Sequence, residues 1–285
     1  FTVEPGSTTG QIADTLKGKG IIKSDWAFEW YVRNHQLRDQ IKAGTYVLSE
    51  SQSVPEIIDI IVEGKVATDL ITIVPGKRLD QLKAEFIEAG YTPEDVEAAF
   101  NPALYEGHPA LTDKPEGATL EGYLYPESFL KTANTTVEEI VRLALDETDV
   151  RLTPEIRQAI SRQGMTLHQG MTLASIIERE VTSDEDRAQA AQVFLKRLRD
   201  GMKLESNATD DYAKLDASYD TYTIAALPPG PISSFTESSL QAVAFPAQTD
   251  WVYFVSGDDK RTHFSRTLDE HNANIEKYCT TLCGR

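Results

Sequence analysis

The sequence predicts an α+β protein, a small module followed by a larger mixed part. Three observations carry that reading. Two similar strand, Pro-Gly turn and helix patterns lie near the N-terminus. Capped helical periodicities run through the middle, and a hairpin followed by one more helix closes the chain. With 285 residues, 40% of them hydrophobic and 26% charged, there is room for one large domain or two ordinary ones around a sizeable core.

The first pattern is Thr2-Val3-Glu4-Pro5-Gly6 with Ile12, Leu16 and Gly20, and it recurs as Thr72-Ile73-Val74-Pro75-Gly76 with Leu82, Phe86 and Gly90. Each copy reads as a short strand, a turn and a helix that ends at glycine, with Ser7 or Thr8 placed to cap the first helix. Two units are too few for a solenoid. Between them the spacing predicts an aromatic helix around Trp26 to Tyr31, a strand at Gly44 to Leu48, and a helix capped by Ser53 with Pro55 in its first turn. Residues 1–67 therefore form a compact α+β module. The aromatic cluster Trp26, Phe28, Trp30 and Tyr31 is expected in its core, although such rings also stack on sugars.

In the remainder, 68–285, a Pro/Gly/Asp-rich stretch from Pro109 to Gly117 separates a connecting region, 68–118, from a core of 119–285. Helices are expected over Thr136 to Glu147, Thr153 to Arg162, Thr172 to Val181 and Asp184 to Asp200. The last is capped by Ser183 with Asp186 and stopped by Gly201. Leu227-Pro228-Pro229-Gly230-Pro231-Ile232 is too rich in proline for a helix or central strand. Trp251 to Val255, a turn at Gly257-Asp258-Asp259, and Thr262 to Ser265 read as a hairpin. A final helix spans Leu268 to Tyr278.

Two glutamates stand out in Leu173-Ala174-Ser175-Ile176-Ile177-Glu178-Arg179-Glu180. On a helical wheel Glu180 projects into the apolar arc of Leu173, Ala174, Ile177 and Val181, and Glu178 lies at its rim. A buried carboxyl must be paired, hydrogen-bonded or protonated, and a carboxyl protonated near neutral pH is what general acid catalysis needs. The plainer reading is a salt-bridged helix residue.

The net charge of −17, with no basic block, excludes the usual signature of a nucleic-acid or acidic-membrane binder. No apolar run is long enough to span a bilayer. The chain begins at Phe1 rather than Met, so an N-terminal signal, anchor or pro-segment is expected to precede it. Cys279 and Cys283 are too few for a zinc site or a disulfide framework, and leave open one local bridge or two free thiols. No metal ligands show helical zinc spacing.

Several motifs in order resemble the endolytic murein transglycosylases, or YceG-like proteins: Leu120-Glu121-Gly122 with Tyr125-Pro126; Leu173 to Glu178; Val193-Phe194 with Arg197-Leu198 and Gly201-Met202; Asp220 to Thr223; Leu227 to Ile232; Phe245-Pro246-Ala247; and His263-Phe264 with His271-Asn272. The resemblance implies a LysM-like module ahead of a catalytic domain. It also implies a single N-terminal membrane helix, absent from this chain, and a location on the outer face of the bacterial cytoplasmic membrane. Peptidoglycan glycan strands are the implied substrate and peptidoglycan synthases the implied partners, with no cofactor. The implied reaction is a lyase cleavage between N-acetylmuramic acid and N-acetylglucosamine, in which the muramic 6-hydroxyl attacks its own anomeric carbon and leaves a 1,6-anhydro end.

Since the nucleophile belongs to the substrate, one carboxyl can serve as acid and then base, where an ordinary glycosidase needs two. The resemblance aligns that role with Glu178, whereas burial alone points to Glu180, which then becomes a supporting partner. Glu121, Asn207, Asp220 and Tyr222 are candidates for holding the sugar, while Arg197 and His263 are supporting, with His263 and His271 fixing the hairpin and last helix. The chain departs from the family pattern at Lys196, usually Asn. Glu205-Ser206-Asn207-Ala208 stands for Gln-Thr/Ser-Asp-Pro, Asp220 for Asn, and Ser233-Ser234-Phe235 for Asn-Pro-Gly. Two rival expectations are a non-catalytic peptidoglycan-binding scaffold, and a hydrolase pairing Glu178 with Asp220 or Glu205 to leave reducing ends.

Overall fold

The computed structural model describes residues 1–46, 48–49, 52–64, 69–132, 135–281 and 283. They form two compact units, Phe1–Ile71 with Ser128–Thr136, and Thr72–Glu127 with Val137–Arg285.

In the first unit, β1 (Thr2–Val3) pairs antiparallel with β2 (Gly44–Thr45), with α1 (Thr9–Gly18) and α2 (Asp25–Asn34) between them and α3 (Val54–Glu63) after them. The termini of these helices follow from local chemistry. Thr8 and Gln11 form a reciprocal capping box, Ser24 accepts from the Ala27 amide, and Ser53 and Glu56 form a second box ahead of Pro55. Ile12, Leu16, Phe28, Val32, Tyr46, Ile57, Ile58 and Ile61 are buried together. The expected aromatic core is only half realised, because Phe28 is buried whereas Trp26 and Trp30, one helical turn apart, are 68% and 44% exposed and stack on each other. The predicted strand at Gly44 to Leu48 is described as β2 over Gly44–Thr45, and Val47 lies outside the described residues. A second small sheet pairs β3 (Asp69–Thr72) with β4 (Ser128–Lys131).

The second unit contains α4 (Leu79–Glu88), α5 (Pro93–Ala99), α6 (Val137–Arg151), α7 (Pro154–Arg162), α8 (Leu167–Glu180), α9 (Asp184–Arg199), α10 (Asp210–Ala213), α11 (Glu237–Ala244) and α12 (Leu268–Tyr278). Strands β5 (Tyr253–Ser256) and β6 (Thr262–Ser265) form the antiparallel hairpin, with Phe254 opposite Phe264. Helix α8 begins earlier than apolar periodicity suggested, since Thr166 and Gln169 make a capping box that starts it at Leu167. It is buried around nearly its whole circumference, from Gly170 through Ile177, and packs with α9 and α11, while α12 packs on the hairpin. At Gly170 an added Cβ would come within 2.8 Å of Ile160, so glycine sets the approach of α7 to α8.

The proline-rich segment is an ordered loop. Its hydrogen bonds are made with neighbours, as a segment lacking regular structure requires. His168 bridges the Tyr123 hydroxyl, at 2.7 Å from Nδ1, and the Pro229 carbonyl, at 2.8 Å from Nε2. A carbonyl only accepts, so Nε2 carries the proton and Nδ1 receives the tyrosine's. Ile232 donates its amide to the Ser175 hydroxyl on α8. Gly122 has φ +74°, and a Cβ there would lie 2.3 Å from Pro231, which explains why glycine follows Glu121.

Candidate active site

The C-terminal end of α8 delivers Glu180 to a cleft of about 410 Å³, shared with Arg197, Glu205, Asn207, Tyr222, His271 and the Cys279–Cys283 pair among its walls. One carboxyl oxygen, Oε1, accepts from the Ser206 hydroxyl and from the Ala208 amide at 3.3 Å. Among the described residues Oε2 accepts no hydrogen bond. Ser206 is itself fixed: its amide donates to Thr221 Oγ1 at 3.0 Å, its carbonyl accepts from Thr209 Oγ1 at 2.9 Å, and the two threonine hydroxyls are 3.0 Å apart. Burial pushes the Glu180 carboxyl above the ordinary range, and Asp210 adds to this. The Ser206 and Ala208 bonds and Arg179 act in the other direction. The result is a carboxyl held at one oxygen, biased toward its protonated form, and without a hydrogen bond at the other among the described residues.

Glu178 is differently placed. Its Oε1 is 3.1 Å from the Arg187 guanidinium, and its Oε2 accepts from the Thr236 amide at 2.9 Å, the Thr236 hydroxyl at 2.7 Å and the Ser239 hydroxyl at 2.7 Å. Its side chain is 6% exposed and that of Arg187 10%. A carboxylate at the start of α11 complements that helix's N-terminal amides. Glu178 thus clamps α8 to α9 and α11 with both oxygens engaged, and it is not among the residues lining the cleft.

The other sequence-selected residues divide in the same way. Asn207 and Tyr222 are brought together in the cleft, with the Tyr222 hydroxyl donating to Asn207 Oδ1 at 2.6 Å. Asp220 is a turn residue, accepting the Tyr222 amide at 2.9 Å, and does not line the cleft. Glu121 is also outside it, buried under the start of α4. Arg197 holds the wall: it donates to the Val252, Lys203 and Leu204 carbonyls and pairs with Glu205 at 3.2 Å. His263 stacks on Tyr278 at 3.7 Å and pairs with Asp259 at 3.1 Å, joining the hairpin to α12.

Two residues expected in other roles also line the cleft: His271, expected to fix the hairpin and last helix, and Glu205, expected only as the second acid of the rival hydrolase. His271 lines the cleft with a buried Nδ1 that makes no hydrogen bond among the described residues, and burial lowers its pKa. Glu205 lines it with φ +52°, a backbone state that non-glycine residues rarely adopt and that clusters at functional sites. The only available signal for either was its position within a motif. The bridge left open by the sequence is present, joining Cys279 to Cys283 at the cleft wall.

These features define a class: an α+β protein with a largely buried acid among the residues lining a polar cleft. The comparisons make it specific. The YceG-like family matches residues 1–277, and the chain belongs to that family. It is 30% identical to an endolytic murein transglycosylase of Bacillus subtilis (strain 168), over 99% of this chain and 85% of that protein. It is 26% identical to an endolytic murein transglycosylase of Streptococcus pneumoniae serotype 2, over 97% of this chain and 57% of that longer protein. The crystal structure of a yceG-like protein, lmo1499 from Listeria monocytogenes, superposes with a TM-score of 0.64 at 31% identity, covering 96% of this chain and 98% of that one.

Proposed function

We propose that this protein is a lytic transglycosylase that cuts the glycan strands of peptidoglycan internally, with Glu180 as its acid and base. The observation that carries the reading is the Glu180 carboxyl itself, largely buried at the cleft wall, tethered through Oε1 and with no hydrogen bond at Oε2 among the described residues. In the forward step protonated Glu180 gives its proton to the glycosidic oxygen as the bond to the muramic anomeric carbon breaks. The muramic 6-hydroxyl oxygen then bonds to that carbon and its proton passes to the Glu180 carboxylate. Atoms balance with no water consumed, and the new end is 1,6-anhydromuramic acid. The attack is intramolecular, so the protein supplies one proton shuttle and charge stabilisation instead of two catalytic carboxyls. Glu205, paired with Arg197 at 3.2 Å, is suited to stabilise positive charge at the anomeric carbon. Asn207, Tyr222 and His271 are suited to hold sugar hydroxyl or amide groups. Under this reading Glu178 passes from catalyst to clamp.

Placing this chemistry in the cell envelope, beside peptidoglycan synthases and in cell-wall assembly, follows from the same substrate. No helix of the described residues is long and apolar enough to cross a membrane. The β-α-α-β order of the first unit is compatible with a LysM-like role for residues 1–67, ahead of a catalytic region in 68–285. Glu205 in the same cleft as Glu180 also favours one second reading, a hydrolase in which Glu205 activates water. Mass spectrometry of glycan chain ends decides between them: anhydro ends with the wild type and none with Glu180→Gln support the transglycosylase. Reducing ends identify a hydrolase, and intact strands from the wild type leave a binding scaffold.

A further inference from the structure

We infer that Glu121 is a positioning residue for the cleavage step, acting through Tyr212 to fix the 206–213 segment and with it the donors that hold Glu180; this rests on the reading of Glu180 as the acid. Glu121 is 6% exposed and sits in the tight Leu120-Glu121-Gly122 turn. Its Oε2 accepts from the Leu79 amide at 2.8 Å, at the first turn of α4, and from the Tyr212 hydroxyl on α10. Its Oε1 is buried with no partner among the described residues. A carboxyl oxygen left so is costly, so the group's local role is the pair of bonds at Oε2.

Those bonds matter because of what else α10 carries. Only a few residues upstream on the same segment, Ser206 and Ala208 donate to Glu180 and Asn207 meets Tyr222 in the cleft. The segment is therefore held by a buried carboxyl at each end, Glu180 at one and Glu121 at the other, each gripping a hydroxyl and a backbone amide. Tyr212 also stacks on Tyr219 at 4.8 Å. Asp211 adds weaker ties, 3.5 Å to Arg179 on α8 and 3.9 Å to Arg78 at the start of α4. Losing the Glu121 bond frees α10 to shift, and a donor displaced by about 1 Å no longer satisfies Glu180.

The charged and titratable groups around the two carboxyls set the sign of the effect. Tyr212, Tyr219 and Asp80 face Glu121. Asp210, Arg179 and, across the cleft, Arg197, Glu205, Tyr222 and His271 surround Glu180. The Ser206 and Ala208 bonds lower the Glu180 pKa, so weakening them raises it. The acid form then persists to higher pH.

The test is steady-state cleavage of purified glycan strands across pH by the full chain and its Tyr212→Phe, Glu121→Ala and Glu121→Gln variants. Expected results are a roughly tenfold fall in kcat for Tyr212→Phe and Glu121→Ala, an alkaline limb of kcat/KM displaced upward, and no further fall when the two are combined. Glu121→Gln, whose amide oxygen still accepts both bonds, keeps kcat within about threefold. A Tyr212→Phe variant with the wild-type rate and pH profile overturns the inference, as does a double variant whose losses multiply. If Glu121→Ala fails to fold, Tyr212→Phe and Glu121→Gln still decide. Failure of the underlying reading looks different: Glu180→Gln would then cleave like the wild type.

Discussion

Replacing each helix α8 glutamate by glutamine separates their roles. Glu178→Gln removes the charge facing Arg187 while keeping one oxygen for Thr236 and Ser239. Breaking a buried ion pair from one side typically costs 3–5 kcal/mol. The retained acceptor brings the expected loss here to about 2–3 kcal/mol, since Arg187 keeps Asp184 at 3.1 Å and the Val181 carbonyl. For a domain of this size that lowers Tm by roughly 5–10 °C. Glu180→Gln leaves stability near the wild type, because burial disfavours the charged form that glutamine cannot adopt. Its rate of anhydro-end formation falls by at least ~100-fold. Thermal denaturation at pH 7, paired with chain-end analysis well below the lower Tm, reads both effects. A Glu178→Gln protein as stable as the wild type but catalytically dead, beside an active Glu180→Gln protein, would refute the assignment and restore Glu178 as the acid.

Three further outcomes follow from particular contacts. Burial pushes the Glu121 carboxyl up to about 7, so the native state binds its proton more tightly than the unfolded chain. The stability this contributes is complete below the ordinary carboxyl pKa and is lost as pH rises toward 7, roughly 3 kcal/mol at most. Urea denaturation from pH 4 to 8 should show Glu121→Gln gaining on the wild type over that range, and parallel curves would count against it. Ala208→Pro removes one amide donor from Glu180 at an early position of a 3₁₀ turn, where proline is tolerated. The alkaline limb of kcat/KM should move up, and an unchanged limb would mean the 3.3 Å bond carries no weight. Since the bridged Cys279 and Cys283 line the cleft, a Cys279→Ser/Cys283→Ser protein should show KM raised about threefold or more with kcat within twofold. An unchanged KM would place the bridge outside the substrate path.

Helix caps made much of the fold readable in advance. Ser53 with Glu56, Ser183 with Asp186 and the glycine after α9 mark boundaries because their chemistry is local. The start of α8 was missed because His168 and Gly170, polar or small, are buried by tertiary contacts that periodicity cannot register. The same limit governs the two tryptophans, whose exposure depends on which side of α2 the unit's core occupies. At the site, Asn207 and Tyr222 do meet, while Glu121 lies elsewhere because its turn is packed by the distant Pro231.

The choice between Glu178 and Glu180 had a physical reason to be hard. Residues two apart on a helix point about 200° away from each other, so the pair cannot share one task. One faces the α9–α11 packing and the other the cleft, but α8 is apolar on nearly every side, and an apolar arc marks burial without saying what lies across it. What distinguishes them is the partner each finds. A cation together with three donors makes Glu178 a satisfied anion. One hydroxyl and one amide at a single oxygen leave Glu180 able to carry a proton and to hand it over. Both sets of partners come from outside the helix: Arg187, Thr236 and Ser239 for one, Ser206 and Ala208 for the other. That is why a shared motif located the helix while the assignment of the acid had to wait for the contacts.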